Sequence, residues 1–217
     1  MDLRDVFPPF GLRIEAGPVT LRPITDDVLP KLIDIALAGV HDPSFMPFYY
    51  PWTDAPEGKL PTEFAQYHWG TRARWSKDAW TLEFAVEYEG TIVGAQGFST
   101  HDYLVTRTGE TGSWLGRAHQ GRGIGTRMRQ AICAFLFDHL DAAEITSGAF
   151  SDNPASLAVS RKSGYRPDGR QRLSRRGEVA VNQRLVLTPE DFVRGDEITV
   201  TGAEAFRSFI GLNGERR

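Results

Sequence analysis

Hydrophobic and polar residues follow two different periods along the chain, and each period predicts its own kind of element. Alternation with a period of two predicts seven strands, at residues 19–23, 80–87, 91–99, 109–116, 144–150, 165–173 and 178–187. A period near 3.6 predicts helices over 26–38, 62–76, 124–140, 154–162 and 203–210. The order of these elements predicts an α/β (or α+β) fold, in which helices flank one central sheet.

Local signals place several helix ends. Thr25 followed by Asp26 and Asp27 is typical of an N-cap with acids in the first turn, so we expect the first helix to begin there. Asn153 before a proline is typical of another N-cap. Gly164 then has the position of the glycine that ends the short helix after Asn153.

A long irregular stretch separates the first two predicted helices. Residues 40–61 contain five prolines interspersed with aromatic residues. Loops of this length inside a compact domain are usually functional or disordered, and the aromatic content argues against disorder. We therefore expect an ordered loop with a functional role.

Glycines after the fourth predicted strand predict an anion site. Residues 120–125 read QGRGIG and lie between a predicted strand and a predicted helix. Glycine lets backbone N–H groups approach an anion closely, and a helix N-terminus adds free donors and a partial positive charge. Arg117, Arg122 and Arg127 add formal charge nearby. The segment predicts a pyrophosphate cradle, and the alternative is a plain glycine-rich turn ahead of a core helix.

Two common nucleotide motifs do not fit this segment. A P-loop requires a Lys–Ser/Thr pair after its glycines, and none follows here. A dinucleotide-binding loop requires a third glycine where Met128 stands, which disfavours a nucleotide-binding oxidoreductase. The segment does match Q/R-x-x-G-x-G/A through Gln120, Gly123 and Gly125, and so resembles the signature of the GNAT superfamily of acyl-CoA N-acyltransferases.

A second segment strengthens this resemblance. Residues 153–156 read NPAS and residues 162–165 read KSGY, which resembles the GNAT pattern N-x-x-S/A…K-x-G-F/Y. Together with the long insertion after the first helix and the terminal strand pair, it looks most like the branch that acetylates ribosomal-protein N-termini. That branch includes an actinobacterial type that uses succinyl-CoA. The resemblance covers residues 19–187, with 1–18 as an N-terminal lead-in and 188–217 as a C-terminal extension.

The resemblance implies a fold and a cofactor. GNAT proteins have a mixed sheet of six to seven strands, whose fourth and fifth strands splay apart around the pantetheine arm of acyl-CoA. The implied co-substrate is acetyl-CoA or succinyl-CoA, and no metal is implied. The residues implied to bind the cofactor are Leu115, Gln120, Gly121, Arg122, Gly123, Ile124, Gly125, Thr126, Asn153 and Ser156.

Two hydroxyls are candidates for protonating the leaving thiolate. The resemblance implies that Ser156 lies near the thiol sulfur, while a capping or solvent-facing role is equally compatible with the sequence. Tyr165 is the alternative acid, although an aromatic core contact explains it better.

The proton acceptor is harder to assign. An ammonium group must lose a proton before it can attack a thioester. Glu110, at the start of the fourth predicted strand, is the first choice by analogy with glutamates in the family. The alternatives are His119, His41, Asp42, a water chain, or a plain surface role for Glu110.

The acceptor side depends on the long loop. The resemblance implies that this loop walls the acceptor pocket through His41, Phe45, Met46, Phe48 and Trp52. The alternatives are a hydrophobic cluster that only covers the sheet, or a dimer contact.

Composition narrows the partners and the compartment. The formal net charge of −3 provides no global basic field, so we expect no nucleic-acid partner. The single cysteine, Cys133, excludes an intramolecular disulfide and suits a reducing compartment. The first residues do not resemble a signal peptide and no apolar run is long enough to span a bilayer. We therefore expect a cytoplasmic protein without a membrane partner.

Two functions from different classes follow. The first is transfer of an acyl group, acetyl in preference to succinyl, from acyl-CoA to a primary amine by direct attack on the thioester in a ternary complex. The amine belongs to a small molecule, a peptide or a protein, and a homo-oligomer is left open. The second is a catalytically silent acyl-CoA-binding domain that serves as a sensor or assembly module.

Overall fold

A computed structural model of the chain describes residues 1–213. Its strands are β1 Arg13–Ala16, β2 Val19–Pro23, β3 Ala79–Tyr88, β4 Thr91–His101, β5 Glu110–Leu115, β6 Ile145–Phe150, β7 Arg166–Arg175, β8 Glu178–Leu187 and β9 Ile198–Thr201. Its helices are α1 Leu3–Val6, α2 Leu29–Ala38, α3 Leu60–Ala73, α4 Tyr103–Thr106, α5 Ile124–Leu140, α6 Pro154–Ser163 and α7 Ala203–Ile210. Short 3₁₀ turns occupy Pro8–Gly11, Trp52–Asp54 and Arg117–His119.

The strands form one mixed sheet in the order β7-β8-β6-β5-β4-β3-β2-β1-β9. Only the β5–β6 pair is parallel, and the other pairs are antiparallel. The mixed α/β architecture with a central sheet is therefore confirmed. The expected six to seven strands were too few, because β1 and β9 add two strands of four residues each. Elements this short show too little alternation to be recognised in the sequence.

Helices cover both faces of the sheet. The larger core forms where α5 and α7 pack on one face, and it includes Ile132, Phe135 and Phe206. A smaller core forms beneath α2 and α3 on the other face, and it includes Leu32 and Phe64. Full burial of such a side chain stabilises the fold by about 1.5–3 kcal/mol. No helix within residues 1–213 is both long enough and apolar enough to cross a membrane.

The first long helix begins one turn later than its sequence indicates. Residues 25–28 form a turn in which the Val28 N–H donates to the carbonyl of Thr25, and α2 begins at Leu29. The Thr25 hydroxyl donates to Asp27 (2.5 Å), while Asp26 accepts hydrogen bonds from α3. The predicted N-cap was wrong because the Thr25 hydroxyl is engaged by Asp27 and Asp26 is engaged by α3, so neither side chain caps the helix.

Candidate active site

The parallel strands β5 and β6 hydrogen-bond only where they begin. Glu110 pairs with Thr146, and no further register pair joins the two strands. The outer neighbours behave differently, because β4 pairs with β5 and β6 pairs with β8 over six residues each. Beyond Glu110 and Thr146 the two strands diverge, which confirms the expected splay and opens a slot in the middle of the sheet.

A buried arginine bridges the slot on the α5 face. Arg129 donates from Nη1 to the hydroxyl of Ser147 on β6 (3.1 Å) and from Nη2 to that of Ser113 on β5 (3.2 Å). Its residue is only 3% exposed, and its guanidinium lies over the ring of Tyr165 at 5.7 Å. Because a buried cation is costly unless it is hydrogen-bonded, these contacts hold the two strands at a defined separation where backbone pairing has ceased.

The glycine loop follows β5 directly and leads into α5. Gly121 and Gly123 have φ angles of +74° and +79°, in the left-handed region where a residue with a Cβ is strained. A Cβ at either position would meet nothing within 4 Å, so the loop has an open surface. No side chain caps α5, whose first N–H groups therefore lack intrahelical partners. Such a loop and helix terminus can hold a pyrophosphate.

Gln120 supports this loop from below. Its side-chain amide donates to the carbonyls of Val40 (2.6 Å) and Leu115 (2.8 Å), which ties the loop to β5 and to the end of α2. Among the nearby arginines, Arg127 forms an ion pair with Asp196 and Arg122 lies over the ring of a tyrosine. The hydrogen bonds of Gln120 therefore position the loop. The ion pair between Arg127 and Asp196 neutralises part of the positive charge that the sequence predicts near the loop.

The second motif folds against the first. Asn153 caps α6 by accepting the N–H of Ser156 (3.1 Å), and Gly164 ends the helix with φ +97°, so both predicted helix ends are confirmed. A Cβ at Gly125 would lie 3.3 Å from the side chain of Val159, which shows how closely α6 packs on the start of α5. Ser156 is half-buried in the first turn of α6.

Tyr165 lies within the core on the α5 side of the slot. Its hydroxyl is 3.0 Å from that of Thr111 on β5 and 3.5 Å from Cys133 Sγ. Burial raises the pKa of the Tyr165 phenol well above its usual value and that of the Cys133 thiol to about 11. These contacts agree with the core role that the sequence favours for Tyr165.

A cleft of about 730 Å³ opens on the other face of the sheet, between α3, the long loop and strands β3 to β5. Its walls are mainly aromatic and its charged groups mainly acidic. The aromatic residues are Phe48, Tyr50, Trp52, Phe64, Phe98, Tyr67 and Trp114, and the acids are Glu63, Glu83 and Glu110. A cleft of this character suits a molecule with apolar parts and a positive charge.

The long loop contributes only part of its predicted contacts to the cleft. Phe48 and Trp52 line it, and Trp52 packs against Trp114 of β5 with ring centroids 5.4 Å apart. The remaining predicted residues have other contacts. His41 Nε2 lies 2.7 Å from Thr53 Oγ1, Phe45 lies beneath Arg175, and Met46 is buried at 2% exposure.

The tip of the β7–β8 hairpin is fastened to the same loop. Arg175 forms a bidentate pair with Asp152 (2.8 and 2.6 Å), and Arg176 forms one with Asp54 (2.7 and 2.6 Å). Arg176 also donates to the carbonyl of Pro43 (2.9 Å). These two arginines therefore serve as structural ties between the hairpin tip and its neighbours.

Glu110 lies at the rim of the cleft, next to the point where β5 and β6 part. It also borders a second pocket of about 330 Å³ between β6 and the β7–β8 hairpin. Burial raises the pKa of its carboxyl, while the charge of Arg129 opposes that rise. The structure therefore places Glu110 at the border between the two pockets.

Glu83 is the cleft residue that the sequence analysis missed. It lies near the middle of β3, and its carboxylate accepts a hydrogen bond from the hydroxyl of Tyr67 on α3 (2.9 Å). Burial raises the pKa of the Glu83 carboxyl to about 7. The available signal was a glutamate flanked by Leu82 and Phe84 within a predicted strand, because such a position is costly for a charge.

Comparison with known proteins adds to this geometry. Residues 19–166 match the model of the acetyltransferase (GNAT) domain. The Bacillus subtilis (strain 168) protein YdaF, provisionally assigned as a ribosomal N-acetyltransferase, is 26% identical over 91 residues. That match covers 42% of this chain and 49% of YdaF, so it spans about half the length of the curated relative.

Solved structures show the same fold. Mycobacterium smegmatis RimJ in complex with CoA-disulfide superposes with a TM-score of 0.68 at 22% identity, over 92% of each chain. RimL, a ribosomal L7/L12 alpha-N-protein acetyltransferase in complex with coenzyme A, gives a TM-score of 0.67 at 16% identity, over 80% of this chain and 95% of RimL. At these identities the likeness is one of fold.

Proposed function

The chain belongs to the GNAT acetyltransferase family, and from this premise we propose that it transfers an acetyl group from acetyl-CoA to the primary amine of a peptide or protein N-terminus. Succinyl-CoA is the alternative donor. The observation that carries the proposal is the slot between β5 and β6, which adjoins the open glycine loop and the acidic cleft. The pantetheine arm of acyl-CoA, extended in this slot, brings the thioester at its end to an amine in the cleft.

The loop and the first turn of α6 hold the donor in this proposal. Backbone N–H groups around Gly121 and Gly123 bind the pyrophosphate, and the dipole of α5 favours its negative charge. Leu115 and Gln120 keep the loop in position through their mutual hydrogen bond. Arg122, Ile124, Gly125, Thr126, Asn153 and Ser156 complete the proposed cofactor-binding set.

The reaction is a direct aminolysis within a ternary complex. The acceptor ammonium first loses a proton to a carboxylate of the cleft, for which Glu110 is the choice from the sequence. The free amine then attacks the thioester carbonyl, and a backbone N–H of a diverging strand stabilises the oxyanion. The C–S bond breaks as the amide forms, and Ser156 protonates the departing thiolate while Tyr165 supports the slot from the core.

The nature of the cleft and the names of the relatives support an N-terminal amine as acceptor. RimL is described as acetylating the alpha-amino group of a ribosomal protein. In the present chain the cleft is wide enough for several residues of an extended peptide, and its acids attract a cationic terminus.

Isothermal titration of the purified protein with CoA, acetyl-CoA and succinyl-CoA tests the donor. We expect micromolar binding of acetyl-CoA, with weaker binding of succinyl-CoA. Failure of all three to bind would refute the cradle at the glycine loop.

Release of free CoA from acetyl-CoA, with short peptides as acceptors, tests the transfer. Peptides with a free N-terminus should support release, and the same peptides with an acetylated N-terminus are the matched control. Tight acetyl-CoA binding without turnover on any amine would instead identify a silent binding domain.

A further inference from the structure

Glu83 occupies an unusual position in the sheet. Its strand neighbours Leu82 and Phe84 point into the main core, so Glu83 projects from the opposite face into the cleft. An apolar wall is a costly environment for a carboxylate. Within the described part of the chain, Tyr67 donates a hydrogen bond to Oε1 of Glu83, and Glu83 is one of the residues that line the cleft.

Glu83 and two glycines form one row of paired residues across three neighbouring strands. Glu83 is paired with Gly97 on β4, and Gly97 is paired with Gly112 on β5. A Cβ at Gly97 would lie 3.1 Å from each carboxylate oxygen of Glu83, so the carboxylate extends over this strand. A Cβ at Gly112 would meet nothing within 4 Å. No side chain therefore separates the carboxylate from the open space above β5.

This open space adjoins the slot. Gly112 lies two residues beyond Glu110, the last residue of β5 that is paired with β6. A thioester that emerges from the slot and an amine that contacts Glu83 would meet above Gly112. Glycine in the middle of a strand weakens a sheet. Two paired glycines such as Gly97 and Gly112 are therefore typical of a place where another group approaches the backbone closely.

We propose that Glu83 binds the ammonium group of the acceptor and removes its proton, and that Tyr67 is its positioning residue. This inference rests on the proposed acyl transfer and names the proton acceptor that the transfer requires. The acceptor class is a primary ammonium on a chain with apolar parts, since the rings of Trp52 and Trp114 flank the approach to Glu83.

The other ionisable groups around Glu83 are less suited to this role. Burial and, to a smaller extent, the charge of Arg72 lower the pKa of His68 to about 4, so the imidazole is neutral and weakly basic. The nearby Glu83 charge raises the pKa of Tyr67, which remains a hydrogen-bond donor. Arg74 is a permanent cation at the mouth of the cleft.

The two remaining acids differ in position. Glu63 lies on the outer part of α3, and Glu110 lies at the rim beside the slot. With its pKa at about 7, Glu83 is ionised in a substantial fraction of molecules at neutral pH and is still a competent base. Tyr67 opposes the rise by stabilising the carboxylate through its hydrogen bond.

The protons and electrons balance with this base. The ammonium gives one proton to Glu83, and the amine lone pair then forms the C–N bond. The C–S bonding pair leaves with sulfur as the thiolate. As the tetrahedral intermediate collapses, the second proton of the former ammonium passes from nitrogen to Ser156 by way of water, and Ser156 gives its hydroxyl proton to the thiolate. Glu83 finally releases its proton to water in the open cleft, so that one proton is released per amide formed.

Kinetics of three variants test the proposal, with acetyl-CoA and a tetrapeptide that has a free N-terminus. We expect Glu83→Gln to lower kcat by about 100-fold or more, as for loss of a general base, and to remove the fall in kcat below pH 7. Its acetyl-CoA affinity should stay unchanged. Tyr67→Phe should move that fall to higher pH, because the carboxylate loses a stabilising donor. Glu87→Gln is the matched control, since Glu87 lies on the same strand and face but pairs with Arg22 outside the cleft (2.6 Å).

The outcomes separate this inference from the proposed function. If the wild type acetylates the peptide and Glu83→Gln retains its rate and pH profile, Glu83 is not the base. A loss confined to Glu110→Gln would assign the role to Glu110. If the wild type acetylates no peptide, the proposed acyl transfer itself is refuted, independently of any role of Glu83.

Direct titration of Glu83 decides the question without turnover. In ¹³C-carboxyl NMR of the protein saturated with acetyl-CoA, one glutamate resonance should titrate near pH 7 and vanish in Glu83→Gln. Added n-butylamine, the probe for a primary ammonium, should lower that pKa. An ordinary carboxyl pKa for Glu83, or no response to n-butylamine, would overturn the inference.

Discussion

The donor half and the acceptor half of the site are built in different ways. The donor half uses the backbone of two short segments, residues 120–125 and 153–164, each contiguous in sequence. The acceptor half uses side chains from α3, the long loop and three strands, spread from residue 48 to residue 114. Backbone groups recognise the invariant part of a cofactor, while side chains dispersed over the fold can vary with the acceptor.

The largest expected effect is in the donor half. Gly123→Val places a branched residue at φ +79° and puts side-chain atoms where the pyrophosphate is proposed to bind. Loss of a charge-assisted hydrogen bond of about 1.5–3 kcal/mol should lower acetyl-CoA affinity by up to roughly 100-fold, while backbone strain of about 1–2 kcal/mol lowers the stability of the fold. Isothermal titration measures this loss.

The matched control is Gly90→Val in the β3–β4 turn. Gly90 has φ +78° and equally open surroundings, so its replacement should cost similar backbone strain without affecting acetyl-CoA binding. Equal losses of acetyl-CoA affinity in the two variants would indicate general destabilisation and would refute the assignment of the glycine loop as a pyrophosphate site.

Ser156→Ala should separate chemistry from binding within the donor half. If the hydroxyl protonates the thiolate, kcat should fall by about 10- to 100-fold, while KM for acetyl-CoA changes little. Steady-state kinetics provide both constants. Ser163→Ala on the same helix is the control, because its hydroxyl donates within α6 to the carbonyl of Val159 (3.1 Å). An unchanged kcat in Ser156→Ala would return this residue to a structural role.

Trp114→Leu should affect the acceptor half alone. The indole flanks the cleft and packs on Trp52, so its loss should raise KM for the peptide by about 10-fold through lost apolar and cation–π contact. Acetyl-CoA affinity should remain that of the wild type. Trp69→Leu serves as the control, because Trp69 on α3 is half-exposed and donates to Asp26 outside the cleft. A weakened acetyl-CoA affinity in Trp114→Leu would show that the halves are not separable.

The smallest expected effect concerns the tie between the long loop and the β7–β8 hairpin. Arg176→Ala removes a partly exposed ion pair with Asp54, so the melting temperature should fall by about 2 °C or less. A roughly twofold rise in KM for the peptide should follow as the loop loosens. Arg184→Ala removes the exposed ion pair with Asp168. It should change neither the KM for the peptide nor the conformation of the long loop. A large loss of acetyl-CoA affinity in Arg176→Ala would contradict the assignment of this ion pair to the acceptor half.

Sequence reasoning was most successful where a signal is local. The strand–glycine–helix order around residues 115–126, the Asn153 cap and the Gly164 terminus all appear in the structure as expected. It failed at Thr25, whose hydroxyl donates to the nearby Asp27, while the neighbouring Asp26 accepts hydrogen bonds from the distant helix α3. The two shortest strands were also missed, because β1 and β9 depend on pairing with each other across almost the whole chain.

By itself, the sequence determined the local structure of the proposed donor half, since glycine conformations, helix caps and helix N-termini depend on neighbours within a few residues. Only the tertiary structure decided the acceptor half. The row from Glu83 through Gly97 to Gly112 exists because the register of β3, β4 and β5 aligns residues from three separate segments. Likewise, Arg129 can bridge the slot only once α5 packs beneath two strands that have parted. Long-range register and packing are properties of the assembled sheet, and no short motif encodes them.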